Sequence, residues 1–166
     1  MAATTPPQHA SSAGSPLTVY EDPATFRALV WTPPSAPGPL PVLIHLHGAG
    51  EAGNDVWGII MPGQTGTPLV ELHFGRAHEE LSGQFCVVGP QSPSSRWNDA
   101  NVVAFVSHLL EHPPPGVVID QTRVYLAGHS NGATAGHNHG SGDHSSRGGS
   151  SSSSSRSRVV VAAVAV

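Results

Sequence analysis

The stretch Arg123–Gly136, RVYLAGHSNGATAG, limits most tightly what this chain can fold into. Arg123–Ala127 alternates and favours a β-strand, with Val124, Tyr125 and Leu126 as its apolar body. It runs directly into Gly128-His129-Ser130-Asn131-Gly132, a G-x-S-x-G placed where a strand turns sharply into a helix. A serine at the tip of such a turn sits in a strained backbone conformation. The glycines around it let strand and helix approach without a Cβ clash. Its hydroxyl then projects from the carboxyl end of a sheet, and the first N–H groups of the helix face any charge developing beside it.

A second stretch has the same form. Pro41–Leu46 (PVLIHL) is a short apolar run suited to a buried parallel strand, and it ends in His47-Gly48-Ala49-Gly50-Glu51. A strand with an H-G-x-G turn, upstream of a strand with G-x-S-x-G, places two sets of backbone donors near one serine. Gly48, Gly50, Gly128 and Gly132 are the turn glycines this arrangement needs. Glu51 closes the block and is read as a loop carboxylate at the pocket rim; Glu79 and Glu80 are read as solvated surface groups.

The other elements follow from pattern and punctuation. Leu17–Tyr20, Thr25–Trp31 and Phe85–Val88 are strand candidates, the last ended by Gly89-Pro90. Gly53–Gly66 reads as a Gly-punctuated loop. Thr67-Pro68 offers an N-cap and first-turn proline for a helix from Pro68 to about Leu81. Asp99 is placed as the cap of a helix whose stripe is Val102, Val103, Phe105, Val106, Leu109 and Leu110, stopped by Pro113–Pro115. Strands alternating with helices, with no internal repeat, give a parallel α/β sheet. About five strands are expected, or six if Val159–Val166 (VVVAAVAV) joins them.

Composition sets the outer limits. At 166 residues the chain is one domain at most. Only 11% of residues are charged, and 19 glycines with 16 prolines imply many loops around a modest core. Residues 1–16 read as a disordered lead and residues 17–136 as the α/β domain. Residues 137–158 read as a Gly/His/Ser-rich low-complexity linker. Residues 159–166 read as an apolar tail, with the sixth strand as the alternative. A net charge of −4 without a basic cluster argues against nucleic acid as a partner. The single cysteine, Cys86, lies in an apolar run and reads as a buried structural thiol. Val159–Val166 is far shorter than the roughly 20 residues that span a bilayer. The first sixteen residues lack the basic start and apolar core of a secretory signal. A cytoplasmic protein is the expectation, with organellar import as the alternative.

PVLIHLHGAGE, FCVVGPQSP, Arg96-Trp97 and RVYLAGHSNG occur in the order and spacing of the α/β-hydrolase superfamily, which Thr25–Gly132 resembles. The likeness is to its carboxylesterase, phospholipase and prolyl-oligopeptidase-like ("predicted peptidase") branch. The resemblance implies a partial α/β-hydrolase fold, apparently truncated after the elbow. It implies Ser130 as a nucleophile forming an acyl-enzyme. Backbone N–H groups of Ala49 and Asn131 would be oxyanion donors, with Gly50 the fallback, and the substrate a small ester or peptide. It implies no cofactor. Ala133 stands where the family usually has a further glycine. The family's acid and histidine follow the serine, after later strands. Here Asp143, His137, His139 and His144 are the only such residues downstream, in a segment interrupted by Gly136, Gly140 and Gly142. Asp143 and His144 are adjacent on a flexible stretch and are not preorganised, so neither acid nor base is assigned. The three histidines read as a solvated linker in preference to a metal site. Two functions are carried forward: a serine hydrolase, and an inactive hydrolase-like remnant that binds a partner or itself through an exposed sheet edge.

Overall fold

The computed structural model describes residues 15–35, 38–61 and 66–133. The linker at 137–158, the tail at 159–166 and nearly all of the 1–16 lead lie outside the described residues, as do Asp143, His137, His139 and His144. Five strands form one sheet: β1 (Thr18–Glu21), β2 (Arg27–Trp31), β3 (Leu40–Leu46), β4 (Cys86–Gln91) and β5 (Ile119–Gly128). Their order across the sheet is β1-β2-β4-β3-β5. β3 is parallel to both β4 and β5, and β2 is antiparallel to both of its neighbours. Every strand except β2 therefore runs in one direction, and the sheet is mostly parallel as expected.

The central strands are the ones the sequence marks as apolar throughout. All six residues of β4 are buried, as are six of the seven in β3. Each face carries its own core. On one side Ala28, Val42, Ile44 and Val88 pack against α3 (Asp99–Glu111) through Val102, Phe105 and Leu109. On the other, Leu29 and Val87 pack beneath α1 (Pro68–His73) through Leu69, Val70 and Leu72. Cys86 is buried in the first core, and burial pushes its thiol up to about 12. It is the inert structural thiol the sequence indicates.

Several boundaries differ from expectation. The helix expected over Pro68–Leu81 is two short ones, α1 and α2 (Glu79–Gln84), separated at Gly75 with φ 67°. A left-handed glycine ends a helix as effectively as a proline. Thr67 gives no side-chain cap, and its hydroxyl is buried without a hydrogen-bond partner among the described residues. The cap of α3 is Asn98 in place of Asp99, since Asn98 Oδ1 accepts from Asn101 N at 3.0 Å. Val103 is 51% exposed and stands off the stripe that Val102, Phe105 and Leu109 form. Gly53–Gly66 contains a 3₁₀ turn, Val56–Ile60, whose Val56, Ile59 and Ile60 are buried in the second core. β4 continues through Gly89-Pro90 to Gln91. Its pairing with β3 extends only to Val88, so at Pro90 the strand has a single neighbour and tolerates a missing N–H. β5 begins before Arg123, but Asp120–Arg123 loops out of register with β3. There the Asp120 carboxylate accepts from Thr122 N and Arg123 Nε, and regular pairing resumes at Val124.

Candidate functional site

β3, β4 and β5 end side by side at Leu46, Gln91 and Gly128, and the segments that follow all meet there. The β3 turn is extended at Gly48 and then curls into a 3₁₀ turn, Ala49–Glu51. After β5 the chain bends at His129-Ser130, and residues 131–133 are helical. His129 N donates to Leu46 O at 3.3 Å, Gly132 N to His129 O at 2.9 Å, and Ala133 N to Ser130 O at 3.1 Å. Ser130 has φ 51°, the one positive φ at a non-glycine residue among those described. That conformation costs an L-residue on the order of 1–2 kcal/mol and is kept where the surroundings over-determine it. The Ser130 side chain is exposed.

Neighbouring atoms crowd a Cβ at several of these glycines, and at Gly128 it would stand 2.5 Å from the Gly132 carbonyl carbon. A Cβ on Gly132 would fall inside the carbonyl of Leu46 and 2.7 Å from His47 O. A Cβ on Gly48 would stand 2.8 Å from His129 Nε2 and 3.3 Å from the Cβ of Ser130. The elbow and the β3 turn are thus in direct contact. They bring Ser130, Asn131, Gly48 and the exposed Ala49 and Gly50 to one place, while Gly128 and Gly132 are buried beneath.

The loop after β4 braces both turns. His47 is 2% exposed; its Nε2 accepts from Ser92 N at 2.9 Å, so Nδ1 carries the proton and donates to Gly48 O at 2.6 Å. Burial holds the His47 imidazole below its ordinary value, against the pull of that bond and of Glu51. Trp97 Nε1 donates to His47 O at 2.9 Å, and Asn131 Nδ2 to Ser95 O at 2.8 Å. Gln91 Nε2 donates to Glu51 O at 2.9 Å. The four sequence blocks therefore form one connected unit.

Glu51 is a correction to the sequence reading. It is no rim residue: it is 4% exposed, turned inward, with Oε1 3.2 Å from His129 Nε2. The separation is that of an ion pair, but the angle is too poor for a hydrogen bond, and Oε1 has no hydrogen-bond partner among the described residues. Two histidines that sequence reasoning left without a role stand beside it. His129 stacks on His45 at 5.5 Å between ring centroids, and both precede the turns they support. His45 is 7% exposed, and burial, then repulsion from His129 and His47, lowers its pKa to about 4. Nothing in the sequence marks His129, which follows β5, as a neighbour of His45 on β3. Among the described residues no group of three or more His, Cys, Asp or Glu side chains is placed to hold a metal ion, and no helix is long and apolar enough to cross a membrane.

No protein-family model matches the chain, and no curated protein matches it. Solved structures do. A thermostable esterase superposes with a TM-score of 0.50 at 22% identity, covering 72% of this chain and 35% of that one. Esterase B from Lactobacillus rhamnosis gives 0.46 at 19% identity, over 66% of this chain and 33% of that one. A puromycin-hydrolyzing peptidase of Mycobacterium tuberculosis gives 0.45 at 14% identity, over 73% and 20%. The chain spans about a third of the length of the esterases it matches. At these identities the likeness is one of fold. That fold is part of an α/β-hydrolase sheet, ending in an elbow that carries Ser130.

Proposed function

From that fold we propose that the chain is the nucleophile-bearing part of a serine hydrolase acting on carboxylic esters or peptide bonds. The observation that carries the reading is Ser130 at φ 51° between a strand and a helix, held against Gly48. Ser130 Oγ attacks the carbonyl carbon of the substrate and passes its proton to a histidine base, while the carbonyl oxygen becomes an oxyanion. The N–H groups of Ala49 and Asn131 receive that oxyanion, with Gly50 as the alternative on the first turn. Collapse returns the proton to the leaving alcohol or amine and leaves an ester on Ser130, which water then hydrolyses by the same route. His45 and His47 are buried and His129 faces Glu51, so in this reading neither acid nor base is assigned among the described residues. The substrate is a small ester or peptide of the kind carboxylesterases, phospholipases and peptidases cleave. The one buried thiol suits a reducing, cytoplasmic setting.

The test is labelling by a fluorophosphonate probe, followed together with ester hydrolysis, with Ser130→Ala as control. Labelling and turnover that both vanish in the variant support the reading. An unlabelled, folded protein refutes it and leaves a non-catalytic binding module. The engagement of His45, His47 and His129 away from the serine favours that second reading. Such a module would pair through β5, the last strand in the sheet order among the described residues, with a second copy or a partner strand.

A further inference from the structure

We propose that Glu51 and His129 are positioning residues: a close carboxyl–imidazole contact that clamps the β3 turn to the elbow and so sets the spacing of the two backbone donors. The proposal rests on the reading of Ser130 as the nucleophile. Glu51 is the last residue of the 3₁₀ turn that starts at Ala49, and His129 immediately precedes Ser130. A contact between these two side chains therefore ties the peptide carrying one candidate donor to the peptide carrying the other.

The pair has little else to hold it. The Glu51 side chain is 3% exposed, and a carboxylate that far from water is retained only when a partner offsets its lost hydration. Its nearest polar neighbour on the elbow is His129 Nε2 at 3.2 Å. His129 Nδ1 is buried without a hydrogen-bond partner among the described residues, and so is Glu51 Oε1. The other titratable groups facing His129 are His45, stacked on its ring, and His47. Both are held toward the neutral form, by burial first and then by repulsion that includes His129. The turns approach closely, since a Cβ on Gly48 would meet His129 Nε2 at 2.8 Å. Glu51 on one side and Gly48 on the other thus leave the elbow one spacing.

Transition-state stabilisation by backbone donors falls steeply with sub-ångström error, so loosening the clamp should slow chemistry at Ser130 more than it unfolds the protein. The experiment compares the full chain with Glu51→Gln, His129→Gln and the double variant. It measures the rate of fluorophosphonate labelling, thermal unfolding, and backbone amide NMR shifts. Each single variant is expected to label roughly tenfold or more slowly, and the double no more slowly than the worse single. The amides of Ala49 and Asn131 are expected to shift together while those of Leu29 and Val30 stay in place. A fold loss that multiplies in the double variant, or shifts confined to the mutated turn, overturns the clamp. Labelling at the parent rate in folded variants does the same. An unlabelled parent overturns the nucleophile reading itself, and the clamp's role falls with it. His129 is 29% exposed at its side chain, so His129→Gln supplies the test if Glu51→Gln fails to fold.

Discussion

Acidification from about pH 7.5 to about pH 4.5 should destabilise this fold through His45, before its carboxylates titrate. His45 lies on β3 opposite Ala127 of β5, 7% exposed, with its ring stacked on His129. Burial first, then the neighbouring His129 and His47, brings its pKa from 6.5 to about 4. The unfolded chain takes up a proton at about 6.5, the folded chain only near 4. Between those values the unfolded state binds more protons, so stability rises with pH there. The contribution is fully present above about 6.5 and is lost as pH falls toward 4. At about 1.4 kcal/mol per pKa unit, the fall is worth about 3 kcal/mol. That is a large part of a typical net stability of about 5–15 kcal/mol. His47 is depressed in the same direction and adds to the effect. Asp120 and Glu71, both held near about 2 by hydrogen bonds from their neighbours, lose their contributions at lower pH and leave the window clean. Denaturant unfolding at the two pH values reads the difference, and His45→Gln should remove most of it. An unchanged midpoint at the lower pH, or a His45→Gln variant that keeps the whole pH dependence, would refute the reasoning.

Two further outcomes follow from the geometry of the elbow. Gly132→Ala sets a Cβ against the backbone carbonyls of Leu46 and His47, which cannot turn aside, and should cost more than about 3 kcal/mol. Gly89→Ala meets only the side chain of Leu69, which can rotate, and should cost about 1 kcal/mol; thermal unfolding reads both, and the reverse ranking would sink the argument. Ser130→Gly should unfold at a higher temperature than Ser130→Ala, by about 1 kcal/mol of stability, since glycine adopts φ 51° without a Cβ penalty. Equal melting temperatures would mean that the serine is not strained.

The parts of the fold that sequence made legible are those where one physical demand acts on consecutive residues. β3 and β4 are buried on both faces, so their apolar runs are unbroken and could be read directly. α3 is half-buried, and its period of 3.6 survives in Val102, Phe105 and Leu109. The failures are local competitions that pattern does not rank. Asn98 and Asp99 are both good caps, and only the backbone decides between them. Gly75 could sit inside a helix or end one, and it took the left-handed conformation that ends it. The Val56–Ile60 turn is too short for its three buried residues to show a helical period.

The candidate site divides along the same line, and the division explains why Glu51 was misread. Gly128 and Gly132 were legible because each is constrained by backbone, a few residues away or on the strand beside it, where motif spacing carries the information. Glu51, in the turn after β3, meets His129, just after β5, through two side chains whose contact leaves no trace in either local pattern. A glutamate after H-G-x-G reads as solvated because most loop glutamates are. Its burial requires knowing that β3 and β5 are neighbours, which the order β4-β3-β5 establishes and the sequence alone does not. Motif reading therefore finds the groups that could touch a substrate and misses those that hold them in register. On this elbow the second set comprises His45, Glu51 and His129, all within the two motifs or at their edges. The Glu51–His129 contact is accordingly the place where a conservative substitution should separate chemistry from folding.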